Sequence, residues 1–110
     1  MSSTTIILKD NGEVIVEEWP EPYVKGARIA EGVKGYFETL NCNRIHLWFP
    51  DHIDPQHKPN FNATMIGAAF KQEHVPALMG PVVVTGPPDG DGNTHGLTHD
   101  QVERILKLTR

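Results

Sequence analysis

Two runs rich in β-branched residues, Ile6-Ile7-Leu8-Lys9 and Val14-Ile15-Val16-Glu17, stand on either side of Asp10-Asn11-Gly12-Glu13. Asn-Gly between such runs is the strongest short-range signal for a β-hairpin, because both residues tolerate the positive φ of a type I′ turn. A hairpin alone is marginal in water, so the rest of the chain must supply further strands and a covering layer.

The remaining segments supply both. Trp19-Pro20-Glu21-Pro22 breaks the second strand, and Val24, Ala27, Ile29, Ala30 and Val33 follow at helical spacing. This predicts one short helix within 23–34 that ends near Gly35, a residue suited to a left-handed cap. A second hairpin is expected from Tyr36-Phe37-Glu38-Thr39-Leu40 and Arg44-Ile45-His46-Leu47-Trp48-Phe49, turning at Asn41-Cys42-Asn43. A helix is predicted over 63–70, capped by Asn62, with Met65, Ile66 and Ala69 inward. Val82-Val83-Val84-Thr85 is apolar throughout, so it is expected at the sheet centre. Gly86 to Gly96 is rich in Gly, Pro, Asp and Asn and is expected to be a flexible loop. Thr98-His99-Asp100-Gln101 has the spacing of a capping box, with Leu97 and Val102 as a hydrophobic staple. Val102, Ile105 and Leu106 then predict the buried stripe of a last helix.

The expected fold class is therefore α+β. We expect one domain over residues 1–110, with a mixed or largely antiparallel sheet of about five strands and two to three short helices. At 110 residues one core can be buried without metal or disulfide staples. The nine prolines and ten glycines point to short elements and much loop.

Charge and cysteine usage narrow the function classes. The net charge of −4 and the lack of a basic run disfavour nucleic acid as a partner, since such binding rests on neutralising phosphates. Arg104, Lys107 and Arg110 read as a solvated helix face. A single cysteine, Cys42, forms no intramolecular disulfide and suits a reducing, cytoplasmic setting. It is expected as an idle thiol beside a turn. Residues 1–5 lack the character of a signal peptide, and no run reaches transmembrane length, so no membrane partner is expected.

Five constellations could carry chemistry. Asp51, His52, Asp54 and His57, with His46 upstream, offer donors suited to zinc or iron, but without a tight ligand pair. No cofactor or metal is expected; if a metal binds, His52, Asp54 and His57 are the ligands. Asp89-Gly90-Asp91-Gly92-Asn93 opens like a calcium loop, with Asp100 where the last carboxylate would fall, yet Thr94 replaces the required glycine. Gly86-Pro87-Pro88 precedes a helix as a phosphate loop would, but the prolines remove the amides that such a cradle uses. Glu38 and His46 could face each other across the second hairpin, most simply as a cross-strand contact. Trp19, Tyr23, Trp48 and Phe49 lie beside breaks or prolines, where aromatics anchor partners or close small cores.

Three short motifs add a resemblance. Gly35-Tyr36-Phe37-Glu38, Asn60-Phe61-Asn62-Ala63-Thr64 and Met79-Gly80-Pro81-Val82-Val83-Val84-Thr85-Gly86 occur in that order. The chain so resembles the bacterial and phage family called domain of unknown function 3846, over roughly Ile6 to Leu106. Its members carry a Gly-Tyr-(Ile/Phe)-Glu strand, an Asn-x-x-Ala-Thr helix start and a Gly-x-Val-Val-Val-x-Gly strand. Asn60 or Asn62, with Ala63 and Thr64, matches the central motif. Asp51 to Pro59 departs from the family pattern.

The resemblance implies a phage or plasmid setting and no catalytic residue. The expectation is a non-catalytic accessory protein that binds a host or element-encoded protein, through Trp19, Tyr23, Trp48, Phe49, Asn60, Asn62 and Thr64. A homodimer is also admitted, since open sheet edges invite pairing. The alternative is a small enzyme, or a ligand- or metal-binding protein, that uses loop 51–57.

Overall fold

The structure is a computed structural model in which residues 2–109 are described. Met1 and Arg110 lie outside the described residues, and with them parts of two sequence readings, the 1–5 stretch and the basic face of Arg104, Lys107 and Arg110.

The chain runs β1 (Ser3–Leu8), β2 (Val14–Trp19), α1 (Gly26–Val33), β3 (Phe37–Cys42), β4 (Ile45–Pro50), α2 (Phe61–Lys71), β5 (Val82–Thr85) and α3 (His99–Leu108). The five strands form one sheet in the order β2-β1-β5-β4-β3, with every pairing antiparallel. This is an α+β fold. The all-apolar β5 is central, and all four of its residues are buried.

Alternation splits the core in two. Ile6, Leu8, Ile45, Leu47, Val82 and Val84 face α2 and α3. On the other face α1 lays Ile29 and Val33 on Val83, with Ile7, Phe37 and Trp48 at the margin. A Cβ on Gly32 would stand 2.3 Å from Val83 Cγ2, so glycine is what lets α1 approach the sheet this closely.

Several boundaries differ from expectation. In the first hairpin only Gly12 takes positive φ, at 93°. Gly12 N–H donates to Lys9 O and Lys9 N–H to Glu13 O, so a three-residue loop closed by a left-handed glycine replaces the type I′ turn. Asn11 instead uses its side chain, accepting from the Glu13 amide at 2.9 Å. The second hairpin turns on Asn43-Arg44, with Asn43 at φ 69°, while Asn41 and Cys42 belong to β3. Register won there: extending the strand to Cys42 buries its side chain completely.

Helix α1 ends in a left-handed residue, but that residue is Lys34 (φ 63°), one position before Gly35. Helix α2 starts two residues earlier than predicted, because Asn60 rather than Asn62 is its cap. Its buried stripe is Ala63, Ile66, Gly67 and Phe70, while Met65 faces solvent. Helix α3 has the expected capping box. Ile105 is buried there with Val102 and Leu108 packed on the core, so Leu108 takes the place predicted for Leu106.

The segment Gly86 to Gly96 is closed by its own hydrogen bonds rather than left as an open loop. Asp89 N–H donates to Asn93 O, and Gly86 N–H to His95 O. The Asp89 carboxylate accepts from the Asp91 and Asn93 amides and contacts His95 Nε2 at 2.9 Å. These contacts, His95 first, hold the Asp89 carboxyl below its ordinary range.

Candidate functional site

The aromatic residues expected to form a contact surface are dispersed. Phe49 packs on the α2 side of the sheet and Trp48 on the α1 side. Trp48 Nε1–H donates to the buried Thr85 Oγ1 at 2.8 Å, and its ring meets Phe37 edge-on at 5.4 Å. Trp19 lies under the Arg28 guanidinium, 3.8 Å from the ring centre. Tyr23 is exposed and edge-on to His95. No single face carries all four.

The central motif is a joint inside the fold. Asn60 is 1% exposed. Its Oδ1 accepts from the Ala63 amide, and its Nδ2 donates to both Leu8 O and Gly80 O at 2.8 Å. Thr64 Oγ1 donates to Asn60 O and accepts from the Leu78 amide. One Asn and one Thr thus tie the start of α2 to the ends of β1 and β5. Asn62 stands at the surface with its Nδ2 3.5 Å from Gly12 O.

The His/Asp loop is also used by the fold. His57 Nδ1 accepts from the Asp54 amide, and the His57 ring packs on Gly80, which holds φ 78°. Asp54 Oδ1 accepts from the Gln56 amide. His52 is exposed, with Asp51 4.0 Å away. Among the described residues no three His, Cys, Asp or Glu side chains converge as a metal-type group. Glu38 pairs with Phe49, and His46 lies opposite Asn41, so the expected Glu38–His46 pair does not form. Burial lowers the His46 pKa and raises that of Cys42.

One end of the sheet gathers what the rest of the molecule disperses. Strands β1 and β4 end there, and β3 and β5 begin there, in the registers Leu8↔Val82 and Phe37↔Pro50. Three concavities of about 440, 390 and 310 Å³ lie along it. The first two share Lys34, Asp54 and His57, and the last two share Lys9, Asp10 and Asn11, so they lie in a row, a trough that the Asp10–Lys58 hydrogen bond crosses between its second and third parts. Tyr36 (82% exposed) and Ile53 (70%) line one end, and Phe61 (80%) lines the other. These are the three most exposed of the large apolar side chains. In sequence their signal is slight. Ile53 is the one apolar residue between Asp51 and Pro59, and Phe61 lies between two asparagines.

A larger concavity of about 520 Å³ lies at the opposite end, between α3 and the β3–β4 turn. Two of its long polar side chains are already engaged. Arg104 covers the Phe70 ring and donates to Ala69 O, while Gln101 Nε2–H donates to Arg44 O.

Among the described residues no helix is long and apolar enough to cross a membrane. Neither a curated protein nor a solved structure matches the chain. A family model matches residues 3–110, almost the full length, and the chain belongs to that family, Domain of unknown function (DUF3846).

Proposed function

We propose that this chain is a non-catalytic protein-binding module whose contact surface is the trough at the β1–β2 turn end of the sheet. The observation that carries this reading is the exposure of Tyr36, Ile53 and Phe61 along a row of adjoining concavities at one end of the sheet. Large apolar side chains left in water along a groove gain free energy when a partner covers them. Aromatic and aliphatic anchors of this kind carry most of the energy of protein interfaces. In this reading loop 51–57 forms a wall of the trough, and the protein is an accessory of phage or plasmid type that works in the cytoplasm.

The test is differential capture. Immobilised wild-type chain and a Tyr36→Ala/Ile53→Ser variant are exposed to the same host extract. Both substitutions are at exposed positions, so the fold is retained and the melting temperature should shift by under about 2 °C. A protein retained by the wild type and lost from the variant supports the reading. Equal retention by both chains contradicts it.

A further inference from the structure

The trough's charge is as definite as its shape. Asp10 and Asp54 both line its middle section. Asp10 Oδ2 accepts from the Lys58 amide at 2.9 Å and Asp54 Oδ1 from the Gln56 amide at 2.8 Å. Each carboxylate is therefore held in place with its second oxygen uncommitted to any hydrogen bond among the described residues. Neither forms an ion pair with a lysine or arginine among those residues. Asp51 adds a third carboxylate beside Tyr36 and Ile53. The cations are fewer: Lys9 is paired with Glu13 at 3.4 Å, and Lys34 is the other. Three carboxylates against two lysines leave the lining's acidic and basic side chains with a net negative balance, on a chain whose formal total is −4.

We propose that the trough receives an extended segment of a partner protein in which an arginine or lysine is flanked by apolar side chains. This rests on the trough being the contact surface. The basic side chain meets the carboxylates of Asp10 and Asp54, and the flanking apolar side chains cover Tyr36 and Ile53 at one end and Phe61 at the other. From the start of β3 to the β1–β2 turn is about three and a half strand spacings, roughly 17 Å, which about five extended residues span. The chain's net charge of −4 favours the approach of a basic segment. Lys34 opposes it. It is held at φ 63°, where glycine would be free of strain, so its removal has two signed consequences.

The probe is a displayed library of random dodecapeptides selected on the full chain. Enriched peptides are then measured by fluorescence polarisation against four variants. Asp10→Asn/Asp54→Asn keeps an oxygen acceptor for both backbone amides while removing the charges. It should weaken binding about tenfold, the scale of a lost charge-assisted contact. Lys34→Gly should strengthen binding and raise the melting temperature by about 4 °C. Gln72→Gly relieves the same left-handed strain (φ 60°) outside the trough, so it should raise the melting temperature alone. Enriched peptides that are neutral or acidic, yet lose binding with Tyr36→Ala/Ile53→Ser, would keep the trough and overturn the basic occupant. An absence of enrichment, or binding indifferent to Tyr36→Ala/Ile53→Ser, would overturn both.

Discussion

Asn60 shows how much of a small fold can rest on one side chain. Replacing it with alanine removes a helix cap and strands two buried carbonyls, those of Leu8 and Gly80. The combined loss should be roughly 3–5 kcal/mol, measured by urea unfolding. Asn60→Asp keeps the capping oxygen but loses both donors and sets a carboxylate against two carbonyls, so it should be no milder. An Asn60→Asp chain near wild-type stability would show that capping alone matters. His46 makes a second residue-scale prediction. Its folded pKa lies below the ordinary 6.5 because the ring is buried. The unfolded chain therefore binds the proton first as pH falls, and stability is lost from about pH 6.5 downward, through the folded pKa. His46→Gln should flatten this part of the profile, read as melting temperature between pH 7.5 and 5. A slope unchanged in the variant would place the acid sensitivity elsewhere.

At the scale of elements, what could be read in the sequence follows from how local its cause is. The capping box of α3 needs only Thr98 and Gln101, and it forms as expected. The central place of β5 follows from four apolar residues in a row. The Asn-Gly hairpin was legible as a hairpin but not as a turn type, because loop length is set by the β1–β2 register rather than by the dipeptide. The start of α2 was misplaced by two residues for a similar reason. Asn60 and Asn62 are equal as caps by propensity, and only the distant carbonyls of Leu8 and Gly80 decide between them. Close approach between elements was not legible at all. Gly32 lowers the helix propensity of α1, yet it admits Val83 against the helix. Gly32→Ala should therefore destabilise the fold by about 1–3 kcal/mol despite the better helix former, and a chemical denaturation curve checks the sign. A gain in stability would mean that α1 shifts without cost.

For the molecule as a whole, the α+β architecture follows from the segment types, whereas the candidate site depends on what topology brings together. Tyr36, Ile53 and Phe61 belong to three separate segments that meet only because β3, β4, β1 and α2 share one end of the sheet. Trp19, Tyr23, Trp48 and Phe49 look more conspicuous in sequence, yet two of them pack against opposite faces of the sheet. Asn60 and Thr64 of the family motif are spent inside the fold, so that motif reports architecture.

The most direct test of the trough as the contact surface is site-specific photo-crosslinking. A benzophenone side chain would be placed in turn at Tyr36 and Phe61, and at Arg44 and Glu103 toward the opposite end, with the chain produced in its host. Covalent adducts are expected from positions 36 and 61 and none from 44 and 103. Adducts confined to 44 and 103 would contradict it and move the contact surface to the groove between α3 and the β3–β4 turn.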